Sequence, residues 1–243
     1  LELLDRRPLV GERPGARSLE RARGSIELDD VTFTYPDTSE PVLRGLTLRA
    51  EPGEVVALTG PSGCGKSTVA RLLLRFADPD EGTAKLDGID LRELDLASVR
   101  ENVALLLQET MLFDSTVREN LAFGRPETSQ AEVEAAGRSA GAHEFITGLP
   151  EGYETRVGQR GRILSGGQRR RVEIARTLLR DAPVVVLDEP TTGLDSDTAQ
   201  RLIEPLRALL AGRTAVLITH DPQLLRVADR VIRLDPVQAA AAC

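Results

Sequence analysis

The chain has 243 residues, 41% hydrophobic and 28% charged, a balance that predicts a globular protein with one large domain or two small lobes. Its net charge of −7 argues against a nucleic-acid binder, whose affinity comes mainly from a basic face. Two cysteines and two histidines without ligand spacing argue against a disulfide framework and a zinc site. No apolar run approaches the roughly 20 residues of a membrane-spanning helix, and no signal peptide is visible.

The two ends differ in composition from the middle of the chain. Residues 1–24 begin with Leu rather than Met and are rich in charge and proline, which is typical of a linker in a chain cut from something longer. Residues 237–243 are alanine-rich and predict a disordered tail. One domain is therefore expected over residues 25–236.

The predicted elements form two groups of strands separated by a helical stretch. In the first group, strands are expected at residues 26–35, 41–50, 54–59, 83–86 and 103–107, with a helix at 66–76. Residues 116–180 are mostly helical, with helices at 131–142 and 166–180. In the second group, strands at 184–187, 214–219 and 230–234 alternate with helices at 198–210 and 223–227. Because such alternation implies parallel pairing, we predict an α/β core in two pieces with a helical insertion.

A glycine-rich segment after the third predicted strand fits the pattern G-x-x-x-x-G-K-[ST] in full and runs into the first predicted helix. A triphosphate needs many donors at close range, which a glycine-rich backbone and a helix N-terminus provide. Lys66 is expected to reach the β- and γ-phosphates, and the Ser67 hydroxyl to bind Mg²⁺. The predicted ATP site comprises Gly60, Pro61, Ser62, Gly63, Cys64, Gly65, Lys66, Ser67 and Thr68.

An apolar strand at residues 184–187 ends in two carboxylates, Asp188 and Glu189. An aspartate at a strand tip can hold Mg²⁺, and the glutamate beside it is suited to act as general base for an attacking water. Taken alone, the pattern is equally typical of a strand capped by solvated acids. The phosphate loop upstream favours the catalytic interpretation, because ligands bind at the carboxyl ends of parallel strands.

A second candidate anion site precedes the predicted helix at residues 166–180. Ser165 is a natural N-cap, and the two glycines after it leave the first amides of the helix open. The alternative is a plain capped helix. Since one nucleotide does not need two γ-phosphate sites in one chain, this segment is expected to serve a nucleotide held by a partner. It comprises Leu164, Ser165, Gly166, Gly167 and Gln168.

The order of these motifs resembles the nucleotide-binding domain of an ATP-binding-cassette (ABC) transporter. The phosphate loop, LSGGQ, LDEP and an isolated His220 after a strand occur in that family's order over about residues 25–234. LSGGQ separates the family from other phosphate-loop ATPases. The resemblance implies an α/β phosphate-loop NTPase core with a mixed sheet, an antiparallel β subdomain and a helical signature subdomain at about residues 110–180.

Four further site residues are assigned only by this resemblance. Tyr35 resembles the aromatic residue that stacks on adenine, and Gln108 resembles the glutamine that touches Mg²⁺ and the attacking water. His220 resembles the switch histidine at the γ-phosphate, and Asp195 the residue that couples two sites across a dimer. Without the resemblance, the same residues would be a surface tyrosine, an ordinary glutamine, a structural histidine and a helix-capping aspartate.

Within the family, the export-type branch fits best. Residues 155–161, TRVGQRG, resemble the T-E-V-G-E-R-G segment of exporters, and residues 116–121 are similar to that branch as well. A linker-like N-terminus agrees with a membrane domain placed before it. Two features depart from the export-type pattern. Arg156 and Gln159 occupy positions where that branch usually has acidic residues. The TTGLD segment at residues 191–195 is as typical of importers as of exporters.

The resemblance implies an ATPase in which two domains face head to tail, with each ATP between the phosphate loop of one and LSGGQ of the other. Glu189, His220, Gln108 and Lys66 would carry catalysis, and Ser67, Gln108 and Asp188 would hold Mg²⁺. The expected partners are a second nucleotide-binding domain, identical or paralogous, and a transmembrane domain. The expected location is the cytoplasmic face of the inner membrane, with no nucleic acid involved.

Two other functions stay open on sequence grounds. One is a soluble ABC protein of translation or DNA repair, although such proteins usually carry two cassettes or a long coiled-coil insertion, and this chain has neither. The other is a regulatory nucleotide-binding module with little ATPase activity, against which Glu189 and His220 argue. The cargo would be chosen by membrane helices that the sequence does not contain.

Overall fold

The computed structural model describes residues 10–235, so the first nine residues and the predicted tail lie outside the described residues. The strands are β1 (Ile26–Phe33), β2 (Leu43–Ala50), β3 (Val55–Thr59), β4 (Glu81–Leu86), β5 (Ile89–Asp90), β6 (Val103–Leu106), β7 (Val184–Asp188), β8 (Thr214–Ile218) and β9 (Arg230–Arg233). The α-helices are α1 (Lys66–Leu73), α2 (Leu96–Asn102), α3 (Val117–Leu121), α4 (Gln130–Ser139), α5 (His143–Thr147), α6 (Gly166–Arg180), α7 (Ser196–Gln200), α8 (Ile203–Leu210) and α9 (Pro222–Leu225). Short 3₁₀ turns lie at Leu91–Glu93, Gly152–Glu154 and Gln159–Gly161.

The core is a parallel sheet with strand order β6-β7-β8-β3-β9. Every residue of β7 and β8 is buried, and alternate side chains pack into two different hydrophobic clusters, one on each face. A sheet covered on both faces needs such continuous apolar strands. Its register pairs Ile218 with Leu58 on one side and Asp188 on the other. The carboxyl ends of β3, β7 and β8 therefore lie side by side, and the loops that follow them carry the predicted site.

A second, antiparallel sheet has strand order β2-β1-β4-β5 and shares a hydrophobic cluster with α1 and one face of the core sheet. The predicted combination of parallel and antiparallel pairing is confirmed, with one refinement. Among the described residues the two kinds of pairing occupy separate sheets, and the core sheet is parallel throughout. Short connections join β1 to β2 and β4 to β5, which permits antiparallel neighbours, whereas helical crossovers return the chain parallel in the core sheet.

The helical region packs on the other face of the core sheet through a second cluster that includes Val117, Val133 and Val172. Helix α6 begins and ends where the sequence predicts. Capping boxes begin α3, α4 and α6, with Thr116, Ser129 and Ser165 as the N-caps. Within residues 10–235, no helix is both long and apolar enough to cross a membrane.

The helix predicted at residues 198–210 is wrong as a single element, because α7 ends at Gln200 and α8 begins at Ile203. Pro205 explains the interruption. It has no N–H for the carbonyl four residues earlier, at Arg201, and its ring crowds that carbonyl. The sequence pattern also missed β5 and α2, which fill the interval between the predicted strands at 83–86 and 103–107.

Residues 10–24, the described part of the predicted linker, lie against the domain. The Asp87 carboxylate accepts hydrogen bonds from the backbone N–H groups of residues 23, 24 and 25. Asn102, buried at the end of α2, accepts from the Ala22 N–H at 2.6 Å and donates to the Leu19 carbonyl at 3.0 Å. This stretch is therefore held by the domain through specific polar contacts.

We expect Asn102→Leu to lower the free energy of unfolding by about 2–4 kcal/mol, because it leaves the Ala22 N–H and the Leu19 carbonyl without their partner. Urea unfolding followed by circular dichroism measures the loss. In a chain that starts at Ser25, the same substitution should cost less than half as much, since both backbone groups are gone. An equal cost in the two chains would mean that Asn102 stabilises only α2.

Candidate active site

The phosphate loop joins the carboxyl end of β3 to the N-terminus of α1. Its glycines at 60, 63 and 65 have φ angles of +145°, +81° and +98°, which favour glycine. A Cβ at Gly60 would collide with the carbonyl oxygen of Leu234, and one at Gly65 would collide with the side chain of Leu43. The loop therefore needs glycine both for its backbone angles and for the close approach of neighbouring strands.

Lys66 is the first residue of α1 and is only 8% exposed. Its Nζ donates to the carbonyl oxygens of Gly60 at 2.7 Å and Pro61 at 2.9 Å, so the loop itself holds the ammonium. In the described chain, no side chain caps α1 and its first turn has no acidic residue. The amides and the positive end of the helix are thus available to a phosphate.

Glu189 directly follows β7, and His220 lies one residue beyond Thr219 after β8. The Glu189 Oε1 atom lies 3.5 Å from His220 Nε2, and Oε2 accepts a hydrogen bond from Thr192 Oγ1 at 3.0 Å. The φ angle of Glu189 is +48°, a conformation that costs on the order of 1 kcal/mol for a residue with a side chain. A hydrogen bond of 2.9 Å from its N–H to the Ile218 carbonyl holds it there.

These groups meet in one cavity of about 560 Å³. The predicted residues that line it are Tyr35, Ser62, Gly63, Gly65, Lys66, Ser67, Thr68, Gln108, Asp188, Glu189 and His220. Gly60, Pro61 and Cys64 do not line it, and Cys64 is buried beneath the loop. The fold therefore collects side chains from four distant parts of the sequence around the loop, as expected for the ends of parallel strands.

Tyr35 lies beside the phosphate-loop helix. Its hydroxyl is 3.0 Å from Thr68 Oγ1, and the guanidinium carbon of Arg71 is 5.5 Å from its ring centroid. The ring of Phe33 approaches it edge-on, with 5.0 Å between centroids. The tyrosine predicted to stack on adenine is thus anchored to α1 through its hydroxyl and its neighbours.

The signature segment lies outside this cavity. Ser165 Oγ accepts from the Gln168 N–H at 3.3 Å, and Gln168 Oε1 accepts from the Ser165 N–H at 2.9 Å. A Cβ at Gly167 would collide with the methyl group of Thr198, so this glycine lets α6 pack against α7. Asp195 caps α7, and hydrogen bonds from the Thr198 side chain and backbone lower the pKa of its carboxyl.

A Mg²⁺ ion would find suitable ligands in the cavity. Ser67, Gln108 and Asp188 all line it and offer oxygen atoms, and Asp188 is only 8% exposed. Mg²⁺ prefers one or two protein oxygens together with phosphate oxygens and water. The hydroxyl, amide and carboxylate oxygens of these three side chains are ligands of the kind that a hard cation shared with phosphate takes.

Sequence reasoning missed Val42 and Thr192, which also line the cavity. Val42 comes just before β2, and no local pattern distinguishes it. Thr192 could have been found from its place three residues after Glu189, where a turn hydrogen bond joins its N–H to the Glu189 carbonyl at 3.2 Å. Its hydroxyl holds one carboxylate oxygen of Glu189, so it orients the predicted base.

Comparison with known proteins identifies the family of the chain. The model of the ABC transporter family matches residues 43–192. An ATP-dependent lipid A-core flippase of Alkalilimnicola ehrlichii is 48% identical over 222 residues, which are 91% of this chain and 38% of that protein. The flippase of Escherichia coli K12 is 45% identical over 219 residues, 90% of this chain and 38% of that protein.

A solved structure, a bacterial Atm1-family ABC exporter with ATP bound, matches with a TM-score of 0.89 and 40% identity, over 96% of this chain and 41% of that one. The chain thus spans about two fifths of the length of these relatives. The structural match extends over both sheets and the helical region. The chain belongs to the ABC transporter family, as an ATP-binding domain homologous to the nucleotide-binding domains of exporters.

Proposed function

We propose that this domain hydrolyses ATP in the cavity between the phosphate loop and the ends of β7 and β8. The observation that carries the proposal is the position of Glu189, on the wall of the cavity that Lys66 also lines, with His220 at 3.5 Å. Its carboxylate is partly exposed, at 19%, so water can reach it. A carboxylate in that position can accept the proton of a water that attacks the γ-phosphate.

The remaining side chains of the cavity take supporting roles in this proposal. Lys66 neutralises negative charge on the transferred phosphoryl group, Gln108 and His220 orient the attacking water and the γ-phosphate, and Tyr35 stacks on adenine. Thr192 holds the Glu189 carboxylate through its hydroxyl. When bound by Ser67, Gln108 and Asp188, Mg²⁺ neutralises charge on the β- and γ-phosphate oxygens.

We further propose that the site is complete only when a second domain, identical or paralogous, supplies its signature segment. Residues 164–168 and Asp195 are absent from the lining of the phosphate-loop cavity. The N-terminus of α6 nevertheless has the open amides of an anion site. In a head-to-tail pair, each signature segment would close the ATP site of the other domain, so that ATP joins the two domains and hydrolysis separates them.

The names of the relatives suggest the kind of protein in which the domain acts. Both flippases and the Atm1-family protein are exporters or lipid flippases, and this chain matches about two fifths of each. We therefore propose that the domain drives export through a transmembrane domain, at the cytoplasmic face of the inner membrane, and that the linker at residues 1–24 leads from that domain. We propose no nucleic-acid partner for the domain.

Dilution of the 243-residue chain tests the proposal. Phosphate release per molecule should rise with protein concentration and level off where sizing by light scattering finds a dimer, because each site needs a second chain. A rate that stays flat through dilution with no dimer present would contradict the shared site. ATP binding without measurable phosphate release at any concentration would instead indicate a regulatory module.

A further inference from the structure

Helix α6 carries three charged residues at three-residue spacing, Arg170, Glu173 and Arg176, which the proposed chemistry does not use. Residues three apart lie on one face of a helix. Arg170 is 3% exposed and Glu173 5% exposed. Buried charges are costly unless they are paired and hydrogen-bonded, so their partners indicate what they do.

The partners of this pair lie in the segment that carries Gln108. The Arg170 guanidinium donates to the carbonyl oxygens of Leu107 and Gln108, each at 2.5 Å, and to Glu173 Oε2 at 2.7 Å. The same Glu173 oxygen accepts from Thr110 Oγ1 at 3.0 Å. One buried ion pair thus contacts the residue before Gln108, Gln108 itself and the residue two positions after it.

The Gln108 segment, residues 107–111, has little else to fix its position. Strand β6 ends at Leu106, and the side chains of Leu107 and Met111 are 43% and 52% exposed. One turn further along α6, Arg176 donates to the Met111 carbonyl at 3.0 Å. The charged face of α6 therefore binds this segment mainly through its backbone.

The chemistry of the pair suits such a role. A guanidinium presents its donors in a rigid planar fork, so two carbonyls and a carboxylate bound to it have a fixed relative geometry. Burial lowers the pKa of Arg170 and raises that of Glu173, and the attraction between the two charges only partly opposes these shifts. Inside the protein, such hydrogen bonds are stronger than in water.

We propose that Arg170 and Glu173 are positioning residues that fix the backbone of Gln108, so that its side chain meets the nucleotide in the phosphate-loop cavity. Gln108 lines that cavity, whereas Arg170 and Glu173 do not. They therefore act through Gln108. The inference rests on the hydrolysis proposed above, in which Gln108 orients the attacking water.

The test replaces both charges together, in the 243-residue chain. Arg170→Met/Glu173→Leu removes the pair together, so that neither Arg170 nor Glu173 is left buried without the other, which favours folding. Arg170→Lys keeps the positive charge but loses the planar set of guanidinium donors. If the double variant does not fold, this single variant tests the positioning of Gln108. The matched control is Arg171→Gln, on the same helix, which removes a half-buried arginine that donates to the carbonyl oxygens of Gly141 at 2.9 Å and Gly167 at 3.4 Å and has no hydrogen bond to the Gln108 segment.

We expect the double variant to lower kcat for ATP by at least about tenfold while KM changes by less than about twofold, because the water is misplaced but the phosphate loop is intact. Arg170→Lys should show a smaller loss of the same kind, and Arg171→Gln should stay within about twofold of the parent. Adding Gln108→Ala to the double variant should cause little further loss, since the pair acts through that residue.

A second readout does not depend on activity. The chain contains no tryptophan, so Glu109→Trp places a single fluorophore in the Gln108 segment. Its anisotropy should fall in the double variant and in Arg170→Lys but not in Arg171→Gln. Unchanged kcat and unchanged anisotropy in a folded Arg170 variant would overturn the inference.

The two proposals fail in different ways. If Glu189→Gln turns over ATP normally, Glu189 is not the base and that part of the proposed mechanism is wrong, whereas the positioning of Gln108 is still decided by the Arg170 variants. If Glu189→Gln stops turnover but the Arg170 variants match Arg171→Gln, only the positioning inference is wrong. Fully additive losses for Gln108→Ala and the double variant would also contradict it.

Discussion

Glu189→Gln should lower ATP turnover by about 10²- to 10⁴-fold, the usual loss when a general base is removed. Glutamine has nearly the same shape and can keep the hydrogen bond from Thr192, but it cannot accept the proton of the attacking water. ATP binding should persist, since Lys66 and the phosphate loop are unchanged, and an ATP-bound dimer should accumulate. Phosphate release, nucleotide binding and light scattering measure the three effects.

The matched control for this substitution is Glu204→Gln. Glu204 lies on α8 and does not line the cavity, and its carboxylate forms an exposed ion pair of 2.9 Å with Arg207. Such surface pairs contribute little to stability, so the control should keep the parent rate. If Glu189→Gln hydrolysed ATP as fast as Glu204→Gln, another group would have to be the base.

Ser165→Arg should abolish turnover while leaving ATP bound to the phosphate loop. The arginine would occupy the space in front of the open amides of α6, where the phosphate of the partner's ATP is proposed to lie, and would prevent closure of the pair. Equilibrium binding of a fluorescent ATP analogue should be close to that of the parent chain. Phosphate release and ATP-dependent dimer formation should both disappear.

Loss of the helix cap has to be separated from the loss of closure. Ser129→Arg provides the control, because Ser129 forms the same kind of capping box with Glu132 at the start of α4. Each variant should lose about 1 kcal/mol of stability from its cap. Only Ser165→Arg should lose turnover, and equal losses of activity in the two variants would trace the effect to the loss of a helix cap instead of the shared site.

The phosphate loop shows how a local pattern can predict a site. The glycines, Lys66 and Ser67 are adjacent in sequence, and their order is enough to predict a strand, a turn and a helix N-terminus. The start of α6 is predictable for the same reason, since Ser165 and Gln168 form a capping box within one turn. In both places the interacting groups are at most a few residues apart.

Other features depend on contacts that the sequence does not reveal. Arg201 and Pro205 are an intermediate case, because the proline inside the helix predicted at residues 198–210 is visible in the sequence, and the helix is interrupted where the proline ring crowds the Arg201 carbonyl. Asn102 and Arg170 depend on partners that are distant in sequence. Their partners lie 80 and 62 residues away, at Ala22 and Gln108. No periodic pattern connects such positions.

By itself, the sequence determined the kind of chemistry, because glycine angles, a lysine at a helix start and carboxylates after an apolar strand are local consequences of residue type and order. The tertiary structure decided which of these groups meet. It placed Glu189, His220 and Gln108 around the phosphate loop and left the signature segment outside that cavity. The physical reason is that parallel pairing of buried strands brings their carboxyl ends to one edge, whatever their separation along the chain.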